Sequence, residues 1–171
     1  MNDQERIDGL LRHINFVREN CSILSEKLIN TGRCDLARTL IHNAQIHDAS
    51  KFNGIEWEFL TIGNTTNKSG LKYAVEHHEN TNPHHPRYWK GIENMPEIYL
   101  MEMVCDWKAR STEFATDLRY YIDNDAIKRF KFIKDGPLYQ KILGYVDMLC
   151  PAPFEAIPDT AEPTSVISIA S

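Results

Sequence analysis

Residues 42–52 read HNAQIHDASKF, and the dipeptide His47-Asp48 inside them, with Lys51 and Phe52 directly after, decides how the rest of the chain is read. The chain has seven histidines, and four of them, His77, His78, His84 and His85, crowd into residues 77–85. A second acidic anchor, Asp106, lies in the apolar run 101–107. A divalent ion in a helical core needs imidazoles and carboxylates pointing inward from different helices. Four separate segments offer them here: His13, the pair His47-Asp48, the 77–85 cluster and Asp106. Neighbours in mid-helix point about 100° apart, so His47 and Asp48 can share a site only near a helix end, which the polar run 48–51 suggests. One aspartate can also bridge two ions, one per oxygen.

Outward from this stretch the periodicity is helical throughout. Ile7, Leu10, Ile14, Val17, Cys21, Leu24 and Leu28 recur at steps of three and four, giving a long amphipathic helix over 5–30 with His13 on its apolar side. Thr31-Gly32 closes it. A second helix runs from near Asp35 into His47-Asp48, and 52–62 is a short apolar helix or turn cluster. Residues 63–70 read as a loop. A helix over 71–80 carries Leu71, Ala74, Val75 and His78 on one face, so His78 is preferred to His77. The prolines in 82–86 end it. Met95-Pro96 opens a long helix that carries Ile98, Met101, Val104, Cys105, Ala109 and Phe114 inward. Asp123-Asn124 caps a helix through Ile133, and Pro137 begins the last one, ending at Leu149. Strand signals and internal repeats are absent. The expectation is an all-α bundle of about six to seven helices in one domain, 1–150, with 151–171 an extended or disordered tail.

Composition narrows the classes of function. A net charge of −5 argues against general nucleic-acid binding, and no apolar run approaches the ~20 residues of a membrane span. The polar, acidic N-terminus is no secretory signal, and the four cysteines form no CxxC pair. They read as reduced, mostly buried thiols of a cytoplasmic protein.

The order His13, His47-Asp48, a histidine cluster and Asp106 resembles the HD-domain metal-dependent phosphohydrolases. The likeness sharpens in HDASKF (47–52), AVEHHENTNPHHPRYW (74–89) and EMVCDW (102–107), which look like an uncharacterised family of small HD-like proteins of phages and bacteria. That family shows a leading His and HD-x-SKF, N-x-HH-x-x-YW and EM-x-x-DW elements. Here they fall on His13; on His47, Asp48, Ser50, Lys51 and Phe52; on Asn82, His84, His85, Tyr88 and Trp89; and on Glu102, Met103, Asp106 and Trp107. The resemblance implies an HD-like helical fold that hydrolyses phosphoesters, mainly of nucleotides. It implies His13, His47, Asp48 and Asp106 as metal ligands, with His78, His84 and His85 for a second ion or the phosphate. Several imidazoles favour Mn, Fe, Co, Ni or Zn, as one or two ions. Lys51 stands where the nucleotidase branch carries a glutamate; an ammonium there suits a phosphate and tilts the expectation towards phosphodiesterase- or pyrophosphohydrolase-like chemistry. Glu56 or Glu58 is a candidate general acid or base. Tyr88, Trp89 and Arg110 are candidate substrate contacts.

Plainer readings stand beside these. On its apolar face alone His13 reads as a satisfied core histidine, and its spacing to His47 is what favours ligation; the plainer reading of Asp106 is the partner of Arg110 one turn on, and that of His84 and His85 a surface turn. His42 is structural, and the run 128–134 is a basic helix flank with its aromatics inward rather than a nucleic-acid surface. The alternative to an enzyme is a metal-stabilised helical binding module, such as a phage protein engaging a host partner. A homo-oligomer is compatible with either.

Overall fold

The computed structural model describes residues 2–60 and 67–150. The expected tail over 151–171, and residues 63–66 of the loop expected over 63–70, lie outside the described residues. Those described are all-helical, with no strand among them. α1 is Asp3–Asn30, α2 Cys34–Ile46, α3 Gly54–Phe59, α4 Lys68–Thr81 and α5 Glu97–Glu113. α6 Leu118–Tyr121 and α7 Ile127–Phe130 are joined by a π-helical turn, Ile122–Ala126, and α8 is Pro137–Leu149. Among the described residues no helix is long and apolar enough to cross a membrane.

α1 begins with a reciprocal cap: the Asn2 side chain accepts from the Glu5 N–H, and the Glu5 carboxylate accepts from the Asn2 N–H. It ends where Gly32, at φ +79°, lets the Gly32 and Arg33 amides turn back onto the carbonyls of Ile29 and Leu28. Between these ends the apolar stripe of Ile14, Val17, Cys21, Leu24 and Leu28 is buried. It packs against α2, α5 and α8. α5 is the central rod, with Leu100, Met101, Met103, Val104, Cys105 and Ala109 all buried. Two buried side-chain bonds fix the helices against one another: Asn20 donates to the Cys105 carbonyl and Ser25 to that of Ala37.

Three local expectations change. Helix α4 starts at Lys68, inside the stretch read as loop, because the Asn67 side chain accepts from the Gly70 N–H and caps it. Gly70 also lies so close to α3 that a Cβ there would fall 2.5 Å from the Phe59 ring. Phe114, placed inward by periodicity, is 64% exposed, because α5 ends one residue earlier. The helix expected to be capped by Asp123-Asn124 starts at Leu118, capped by Asp117, and Asp123 and Asn124 sit inside the π turn. Of the cysteines, Cys21 and Cys105 are buried, Cys150 is partly buried and Cys34 is exposed.

Candidate metal centre

The centre forms where α2 stops. Arg18 on α1 donates to the carbonyls of Ala44 and Gln45, satisfying acceptors that the last turn of a helix leaves open. The chain then leaves helical geometry at His47 (φ −53°, ψ 130°), and Asp48 adopts the left-handed region (φ 57°, ψ 13°). That conformation costs a non-glycine residue on the order of 1 kcal/mol. It removes the 100° divergence between helical neighbours, and both side chains point into the same buried space, 2% and 1% exposed. A 3₁₀ turn, Ala49–Phe52, follows and carries Lys51 back over Asp48.

Four further segments face this space. His13 comes from α1, His78 from α4, His84 and His85 from the proline-bounded turn after it, and Asp106 from α5. His13 Nε2 lies 3.1 Å from Asp106 Oδ1 and 3.5 Å from Asp48 Oδ2, and His47 Nε2 lies 3.7 Å from the same Asp48 oxygen. The other Asp48 oxygen, Oδ1, faces His78 Nε2 at 3.2 Å and His84 Nε2 at 3.5 Å. The rings of His47, His84 and His85 follow one another at centroid separations of 4.2 Å. Five imidazole Nε2 atoms, with Asp48 Oδ1 and Asp106 Oδ1, are buried without hydrogen-bond geometry to any partner. Such atoms are rare in folded proteins because each forfeits its hydration. Here they converge, and three ligand triads lie within 4.8 Å: His13/His47/Asp48, His47/His84/Asp106 and His78/His84/His85. These buried groups could hold a metal ion.

Behind the imidazoles stands a ring of carboxylates. Glu102 Oε1 is 2.9 Å from His47 Nδ1 and 3.5 Å from His84 Nδ1, and its other oxygen accepts from Asn43. Glu56 is 2.7 Å from His78 Nδ1, 2.8 Å from His77 Nδ1, and accepts from Ser50. Glu113 is 3.2 Å from His13 Nδ1 and pairs with Arg110. An ionised carboxylate only accepts, so in each neutral imidazole the proton sits on Nδ1 and the Nε2 lone pair points inward. This is the outer arrangement that orients metal-bound histidines.

The charges are set by the same geometry. Burial alone would lower His47, but Asp48 and then Glu102 outweigh it and hold it up at about 9. Burial opposes ionisation of Asp48, yet Lys51 and His47 keep its carboxyl well below the usual range. Asp106 is likewise low despite burial, through His13 and His47. Burial, then the neighbouring His47, pushes His84 well down; burial, then His78, brings His85 to about 4. Both are therefore neutral, as a ligand imidazole must be.

A cleft of about 560 Å³ opens onto the centre, with His13, His78, His85, Lys51 and Glu56 along its floor. Arg110 lines it and pairs with Glu113 rather than Asp106. Tyr88 and Trp89 lie outside it, their rings meeting at a 60° tilt, and the Trp89 indole donates to the Pro83 carbonyl. His77 lies on the outer side of Glu56, and His42 is exposed. In the basic run, Phe132 is buried and Phe130 stacks on Trp107, while Arg129 and Lys134 pair with Glu79 and Asp123. Reading the sequence for sites missed Glu113, Asn43 and the outer role of Glu102. Glu102 stood within a quoted motif; Glu113 carried no signal beyond its spacing to Arg110.

Residues 2–137 match a family of unknown function (DUF5662), and the chain belongs to that family. No curated protein and no solved structure matches the chain.

Proposed function

We propose that this chain is an HD-type, divalent-metal-dependent phosphohydrolase acting on a nucleotide or related phosphoester. The observation that carries the proposal is the convergence of four buried imidazole Nε2 atoms, of His13, His47, His78 and His84, on the two oxygens of Asp48, with His85 beside His78 and His84. His13, His47, Asp48 and Asp106 would hold one ion, and His78, His84 and His85 a second. Nitrogen and carboxylate donors in this ratio suit Mn, Fe, Co, Ni or Zn better than Mg or Ca. When bound, the metal supplies a water of lowered pKa and neutralises charge on the phosphoryl oxygens.

The chain's own groups do the rest. Glu102, Glu56 and Glu113 fix the imidazoles in the tautomer that presents Nε2. With both oxygens engaged, Glu56 acts as a positioning residue rather than a proton carrier. Lys51, 2.5 Å from Asp48 and on the cleft floor, offers an ammonium where a phosphoryl oxygen would lie. Arg110 at the wall adds a second cation.

A hydrolysis screen of nucleotides, cyclic nucleotides and dinucleotides with several divalent metals tests the proposal. The expected result is metal-dependent turnover that falls about a thousandfold or more in Asp48→Ala. Absence of turnover across the panel, together with a melting temperature that drops on metal removal, would establish the metal-stabilised binding module instead.

A further inference from the structure

The cleft above the centre has a composition of its own. Leu10 and Phe16 from α1, Trp57 and Leu60 at α3, and Phe114 at the end of α5 form its walls. Phe114 is held at the rim with most of its ring in water. The Arg6 guanidinium lies 3.9 Å over the Trp57 ring and extends that flat wall. The charged lining is balanced: Arg6, Arg12, Lys51 and Arg110 are matched by Glu5, Glu56, Glu79 and Glu113. Of these cations Arg12 alone lacks an ion-pair or hydrogen-bond partner among the described residues.

A site for a polyphosphate or a polyhydroxylated sugar needs an excess of cations or a wall of polar groups. The chain's own groups supply neither, so any excess of positive charge here would come from a bound metal alone. A large apolar wall beside a few placed polar groups is the signature of a site that buries an organic group and orients it by one charged end. We infer that the cleft selects a phosphoester with a single phosphoryl group and a large, flat apolar substituent, which lies between Leu10, Phe16, Trp57 and Phe114. The inference rests on the reading of the metal centre as a phosphoester site. It narrows that site to aryl- or base-bearing monophosphates and disfavours small polar phosphates, which would leave the apolar wall unfilled. Arg12, at the mouth, is the group left to meet a further polar atom of the substituent.

The test is calorimetric titration of the metal-loaded protein with two ligands that cannot be hydrolysed, naphthylmethyl phosphonate and methyl phosphonate. The naphthyl compound should bind at least about tenfold more tightly, as burial of an aromatic group against apolar walls requires. That ratio should shrink in Leu10→Asn and in Phe114→Ser; the second variant alters an exposed side chain and keeps the test valid if the first fails to fold. Equal affinities in the wild type, or a ratio unchanged in both variants, would overturn the inference. Selective naphthyl binding without turnover of any ester leaves the cleft's role standing and removes the hydrolase; turnover without selectivity does the reverse.

Discussion

Asp48 and Glu102 do opposite jobs on one imidazole set. Asp48 spends backbone strain to stand between the two halves of the histidine cluster. Glu102 stands behind both halves, reaching His47 on one side and His84 on the other. Replacing Glu102 by Gln keeps the shape but removes the carboxylate that holds two rings in their tautomer. Metal affinity should fall about 10–100-fold, measured by competition with a chromophoric chelator; unchanged affinity would show that Glu102 only fills space. At this scale the sequence was legible where chemistry is local. His47-Asp48 announces itself as a dipeptide, and His13, His78 and Asp106 by lying on apolar faces. Glu102 also lay on the inward side of its helix, but its role depends on meeting a histidine 55 positions away in the chain, which periodicity does not report.

The helices themselves were mostly visible, because α1, α2, α5 and α8 each bury a stripe at helical spacing. What was misread is where capping beats pattern. Asp117 and Asp123 are both plausible caps; Asp117 wins because its carboxylate reaches the Tyr120 N–H at 2.7 Å, while Asp123 accepts from Tyr139 and Lys134 instead. Helix junctions also carry the clearest pH dependence away from the centre. Glu97, at the start of α5, pairs with Arg33 at 2.7 Å and accepts from Tyr145 on α8. Burial opposes its ionisation, but Arg33 and Tyr145 bring it down to about 2. A carboxyl lower in the folded than in the unfolded state stabilises the fold above the unfolded value and loses that contribution as pH falls. Glu97→Gln should therefore cost about 1 kcal/mol at neutral pH, the pair being partly exposed. The difference from wild type should shrink as pH falls from 4.5 to 2, read from urea unfolding at each pH. A difference constant over that range would rule out the charged pair as its source.

For the molecule as a whole, the all-helical architecture places the centre where the C-terminal ends of α2 and α4 meet the middle stretches of α1 and α5 beneath one cleft. No single segment contains a complete ligand set; the cluster exists only once α5 packs against α1 and α2. Folding thus gathers five imidazoles and two carboxylates whose inward atoms have no partner, an arrangement costly in a dry interior that a bound cation would relieve. Binding that cation at neutral pH should displace the proton held on His47. The most direct measurement is the metal-to-protein ratio by elemental analysis, for wild type and Asp48→Ala purified in parallel without chelator. The wild type should retain one or two equivalents of a first-row transition metal, and Asp48→Ala should lose them. A metal-free wild type that takes up no added ion, or an Asp48→Ala variant that keeps its full complement, would contradict a metal centre built on Asp48.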